Sequence, residues 1–182
     1  MIDGLQSHLQ KIYDLTWERL RYAESKNGAL LAVTSLIFFR MMDSSNIHLG
    51  HLKIFYFLSL LFFSVTIIIC VYSFVPVLNI PKLMNKEHKK MPSNFGDFNN
   101  LLSSIRLGSY DPKEYAESLC LKINQQDRVL LPIDMDYAEH IVVNSKIILF
   151  KFKCFQAAMI CMLLGMVVGI SVKMAPLIFP TT

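Results

Sequence analysis

The stretch Ile54–Leu78, IFYFLSLLFFSVTIIICVYSFVPVL, contains no charged residue, and Lys53 and Lys82 are the first charges on either side of it. A bilayer core about 30 Å thick takes about 20 consecutive apolar residues in helical form. This run is long enough with a turn to spare. A buried helix of a soluble domain is the competing reading. It weakens because two further apolar runs share a chain of only 182 residues, 53% of them hydrophobic. The sequence therefore predicts a small integral membrane protein, and its remaining parts are placed by their relation to lipid.

Upstream, Leu5, Leu9, Ile12, Thr16 and Leu20 recur at spacings of three and four, with Tyr13 and Trp17 beside them. That periodicity predicts an amphipathic helix over residues 1–27. No proline separates it from Gly28–Met42, a short apolar run with Arg40 near its end. Arginine at that position can reach back to headgroups, so the run can still span. Residues 28–80 then form a transmembrane hairpin, turning through the loop Asp43–His51 and ending at Pro76 and Pro81. Residues 81–133 hold a lysine-rich loop suited to an anionic leaflet, then a short helix beginning at Asp111-Pro112. The segment 134–173 reads as one long helix starting at Asp134 and Asp136, charged through Lys153 and uncharged from Cys154 to Val172. A tail, 174–182, follows.

The expected fold is an all-α membrane protein: a helical transmembrane hairpin plus a third span, with amphipathic cytoplasmic helical arms. Lysine and arginine set its orientation. Four precede Gly28 and eleven lie between Lys82 and Lys153, against Arg40, Lys53 and Lys173 toward the other side. The positive-inside rule places the N-terminus and the central region in the cytoplasm. Both outward-running spans are preceded by an arm, and the arms can lie side by side and parallel. Ala157, Cys161, Gly165 and Gly169 repeat every four residues along the last span. Such small residues allow close helix contact, within the chain or between copies.

No catalytic or metal site is expected: a phosphate loop, HExxH and GxSxG are absent, and His8, His48, His51, His88 and His140 are scattered. The N-terminal segment, with Asp3, Asp14, Glu18 and Glu24, does not read as a signal peptide. The four cysteines form no CxxC, and three lie in apolar runs, as buried free thiols do. Nucleic-acid binding is disfavoured, because lysines beside a membrane are ordinarily an orientation signal. No cofactor is expected. The arms do carry groups a small phosphorylated ligand needs, a cation for phosphate and a flat face for a base. Tyr13, Trp17, Arg19, Arg21 and Lys26 lie on the first arm, and Tyr137, His140, Asn144, Lys146 and Lys151 along the last helix.

The order of elements and several short motifs resemble the transmembrane effectors of Pycsar, the bacterial antiphage systems in which a separate cyclase makes cyclic UMP or cyclic CMP. Ala23-Glu24-Ser25-Lys26 before the first span is similar to that family's Ala-Asp-x-Lys motif, with Glu24 in place of the aspartate. SFVPVLNIP resembles its proline-terminated hairpin, YDPKEYAESL its short helix, and Lys151-Phe152 its approach to the final span. The resemblance implies a multi-pass protein of the bacterial inner membrane, paired with a cyclase, that impairs membrane integrity on binding cyclic UMP or cyclic CMP and causes abortive infection. It implies no enzymatic activity. Trp17 as a stacking surface, with Arg21, Lys26 and Lys151 facing phosphate, is the expected ligand site, and the small-residue stripe the expected contact of a homo-oligomer. Two alternatives share the layout: an effector of another nucleotide-signalling or retron system, and a non-toxic membrane anchor.

Overall fold

The computed structural model describes residues 4–43, 52–75, 107–125 and 128–178. These form four helices and no strand: α1 Gly4–Asp43, α2 Lys53–Phe74, α3 Pro112–Lys122 and α4 Pro132–Ile178. The all-α architecture is as expected. The loop carrying His48 and His51, the residues from Pro76 to Pro81 and the lysine-rich stretch after them lie outside the described residues.

Both long helices are unbroken. α1 runs through its amphipathic and apolar halves for 40 residues, and α4 for 47. At 1.5 Å per residue these are about 60 and about 70 Å long, each roughly twice a hydrocarbon core. Two helices, α2 and α4, are long and apolar enough to cross a membrane. α2 stops at Phe74, and Val75 is extended (φ −63°, ψ 124°), the conformation proline imposes on the residue before it.

The short elements are set by local chemistry. Asp111 is the N-cap of α3, its carboxylate accepting from the Lys113 N–H at 3.2 Å, with Pro112 in the first turn. α3 closes in a Schellman motif: Gln125 N–H donates to Cys120 O at 3.0 Å and Asn124 N–H to Leu121 O at 3.3 Å. Asn124 takes the left-handed conformation this requires (φ 54°). α4 begins two residues ahead of the expected Asp134, because Pro132 suits a first turn. Asp134 instead sits inside that turn. Its carboxylate accepts from Leu131 N–H at 3.1 Å and pairs with Arg128 at 3.2 Å.

The chain divides into two compact units, each built partly from α1 and α4. The arm unit comprises residues up to Ala23 and Pro76–Phe150; the membrane unit comprises Glu24–Val75 and residues from Lys151 onward. In the arm unit Leu5, Leu9 and Ile12 of α1 meet Tyr115, Ala116, Leu119 and Cys120 of α3 and Ala138, Ile141 and Val142 of α4 in one buried cluster. The face expected on the first arm, through Leu5, Leu9 and Ile12, is thus the face that packs. Burial, and then Tyr110 beside it, raise the Tyr115 phenol above its ordinary range, so it stays neutral.

In the membrane unit the inward residues follow a seven-residue repeat. On α2 they are Tyr56, Ser59, Phe63, Thr66, Cys70 and Ser73, at alternating spacings of three and four. On α4 they are Lys151, Ala158, Gly165 and Val172, and on α1 Asn27 and Thr34. This is the seam of left-handed helix packing, filled with small and polar side chains. Ala157, expected in the inner stripe, is exposed, and Ala158 takes the inward place. Each residue turns a helix by about 100°, so a four-residue repeat drifts about 40° per step and leaves the face within two steps.

Candidate functional site

Glu24 and Lys151 are the first residues of the membrane unit on α1 and α4 respectively. Lys151 is only 8% exposed. Its ammonium lies 3.0 Å from a Glu24 carboxylate oxygen, donates to the Ser73 carbonyl at 3.2 Å, and stands 5.7 Å from the centre of the Phe74 ring. Ser73 O belongs to the last turn of α2, which has no basic residue of its own. Lys151 therefore supplies from a neighbouring helix the cation that a helix C-terminus favours. Asn27 completes the cluster: its Nδ2 donates to Ser73 Oγ at 2.8 Å and to the Lys151 carbonyl at 3.4 Å. One ion pair, one amide and one hydroxyl thus tie three helices together where the membrane unit begins on α1 and α4. A charge this far from water is tolerable only when paired and hydrogen-bonded, and intramembrane ionisable residues mark function by default.

Further along, the same seam is closed by hydroxyls and glycines. Ser59 Oγ donates to Gly165 O at 2.7 Å, Thr66 Oγ1 reaches Ala158 O at 3.5 Å, and Thr34 Oγ1 donates to the Met162 sulfur at 3.4 Å. Tyr56 donates its hydroxyl to Met41 O. A Cβ on Gly165 would stand 3.1 Å from Phe62 Cβ, and one on Gly169 3.0 Å from Ser59 Oγ, so these glycines are what let α2 come so close.

The residues expected to hold ligand fall into two groups. Lys151 is turned inward as described, and Lys26 is half-buried with its ammonium 5.9 and 5.6 Å from the ring centres of Phe152 and Phe155. Both therefore serve the membrane unit's own packing here, rather than standing open for phosphate. Trp17 and Arg21 lie in the arm unit and are exposed. Trp17 joins a ring cluster centred on Tyr13, which makes edge contacts with Trp17 (6.3 Å), Tyr137 (5.8 Å) and His140 (6.2 Å). Of the small-residue stripe, Gly165 is buried, Cys161 and Gly169 are half-buried, and Ala157 faces outward.

Asn27 and Ser73 were not expected in any site. The seven-residue spacing Ser59, Thr66, Ser73 inside an otherwise apolar run was the available signal, since hydroxyls in lipid turn toward partners. Among the described residues no group of three or more His, Cys, Asp or Glu could hold a metal ion.

The described helices, two of them long and apolar enough to cross a membrane, define a helical membrane protein. The chain belongs to the Pycsar effector protein family: the family's model, described as PycTM, Pycsar effector protein domain, matches residues 8–176. That places it in antiphage defence as an effector. Neither the curated proteins nor the solved structures compared with it include a match.

Proposed function

We propose that this protein is the membrane effector of a Pycsar system. It responds to cyclic UMP or cyclic CMP from a separate cyclase by impairing the inner membrane, so that an infected cell stops growing before phage mature. The observation that carries the reading is the effector-domain match from residue 8 to residue 176, which takes in both the arms and the spans. In this reading the apolar half of α1 is a third span, the N-terminus is cytoplasmic, and the active form is a homo-oligomer.

The Glu24–Lys151–Ser73–Asn27 cluster is the resting lock. Each long helix enters the membrane unit at one of its members, so a change in how the arms pack bears first on these contacts. Ligand can act only by binding the unlocked arrangement better than the locked one. The small-residue stripe fits this order of events. Gly165 and Gly169 are covered by Ser59, Phe62, Phe63 and Met41 of the same chain, so a second copy can use them only after α2 moves away.

Expression with and without a cyclic-pyrimidine cyclase, followed by a membrane-potential dye, tests the reading. Depolarisation should require the cyclase; if it never depends on the cyclase, the reading fails. Glu24→Gln should depolarise cells without a cyclase, and the charge-retaining Glu24→Asp should keep at least part of the dependence. A silent Glu24→Gln protein that still answers the cyclase normally would remove the lock.

A further inference from the structure

The ring cluster of the arm unit is accounted for only in part by the packing around it: Tyr13 and Tyr137 pack against the arm core, and Trp17 and His140 do not belong to it. The arm core is made by Leu5, Leu9 and Ile12 against α3 and α4, and the rings flank it. Trp17, the only tryptophan in the chain, is left 41% exposed, and His140 is exposed as well. The Tyr13 ring stands between them at steep interplanar angles, 80° to Trp17, 76° to Tyr137 and 65° to His140. Two helices thus bring four rings to one place, and two of the rings stay open to solvent.

We infer that this cluster is where the pyrimidine ring of the cyclic nucleotide stacks, with Trp17 as the platform and Arg21 on the phosphate. The inference rests on the proposed response to cyclic pyrimidines and names its site. Every base has a π-face, and stacking on an aromatic side chain accepts it whatever its substituents. Arg21 lies one helical turn beyond Trp17 on α1 and is exposed, and a guanidinium suits the paired oxygens of a phosphate. His140 and the half-buried Asn144 are one turn apart on α4. A neutral imidazole offers one donor and one acceptor and an amide offers both, so these two can read the edge by which uracil and cytosine differ. All of these residues belong to the arm unit.

The single tryptophan makes the test direct. The full chain in nanodiscs of phosphatidylethanolamine and phosphatidylglycerol is titrated with cyclic UMP, cyclic CMP and, for comparison, cyclic AMP. Affinity is read by calorimetry and the site by Trp17 fluorescence. A cyclic pyrimidine should change Trp17 emission with the calorimetric Kd. Trp17→Leu should weaken binding roughly 5- to 150-fold, the span expected for losing one stacking contact, and His140→Ala roughly 2- to 13-fold, the span for losing one hydrogen bond. Trp17→Phe should recover most of it, which loss of a merely structural contact would not predict. Wild-type affinity in both Trp17→Leu and His140→Ala overturns the site while leaving the cyclic-pyrimidine reading intact. Calorimetry without binding of either cyclic pyrimidine overturns that reading and the site with it. Quenching of Trp17 by brominated lipid rather than by nucleotide would make it an interfacial anchor and would also overturn the site.

Discussion

The two units of this chain bury polar groups to different extents. In the arm unit the buried cluster is apolar, with Leu5, Leu9, Ile12, Ile141 and Val142 inside, and Thr16, Asp134 and Ser145 are the buried polar residues described there. In the membrane unit the polar side chains Asn27, Thr34, Ser59, Thr66, Ser73 and Lys151 are buried, while Leu36, Ile54, Phe57 and Ile68 are between 66% and 75% exposed. The contrast follows from the solvent each expects. Water drives apolar surface inward at about 25 cal/mol per Å². Lipid exerts no such drive between helices, so association falls to close contact, hydrogen bonds and the pairing of charge. α1 and α4 contribute to both units, and their buried residues turn from Leu5, Leu9, Ile141 and Ile148 to Asn27, Thr34, Lys151 and Ala158 past Ala23 and Phe150.

That contrast can be broken by matched substitutions. The largest effect is expected at Leu9, fully buried in the arm unit, where Leu9→Ala should cost roughly 2–5 kcal/mol in thermal or denaturant unfolding of the nanodisc-held protein. Leu36→Ala, at a residue 72% exposed in the membrane unit, should change stability by about 0.5 kcal/mol or less. Equal costs would mean that Leu36 faces protein rather than lipid. Gly165→Leu comes next, because its side chain meets Phe62 and Phe63. About 1–3 kcal/mol should be lost, the scale of overpacking, and killing should weaken while membrane insertion, followed by fractionation, is retained. Unchanged stability and killing would show that α2 does not need that close approach. A smaller loss than at Gly165 is expected for Ser59→Ala, which removes the bond to Gly165 O: about 0.6 kcal/mol, the average for a hydrogen bond between membrane helices. A loss of several kcal/mol there would mean that the seam is held chiefly by its polar bonds.

Much of the architecture was legible before any coordinates. Hydrophobic length identified α2, and periodicity named the face of the first arm through Leu5, Leu9 and Ile12. The cap at Asp111 followed from residue types alone. The candidate sites were legible only in part. Aromatic residues on both arms pointed toward the ring cluster, since Tyr13 and Tyr137 lie on helices expected to run side by side. Lys151 was expected to face a ligand's phosphate, and its partners come from two other helices at distant positions in the chain. Ala157 and Ala158 differ by one place and look equivalent in a list of small residues. Only the handed packing of three helices chooses between them.

What the sequence by itself determined is which segments are helical, which of them are greasy enough for lipid, and which face of each arm seeks cover. Those properties depend on near neighbours along the chain: the spacing of side chains, the caps and the prolines. What only the tertiary structure decided is that Lys151 is locked against Glu24 and Ser73, that Gly165 and Gly169 are occupied by α2, and that four rings meet at Tyr13. Each of these depends on the register between helices far apart in sequence, and that register emerges only when all the inward faces are satisfied at once.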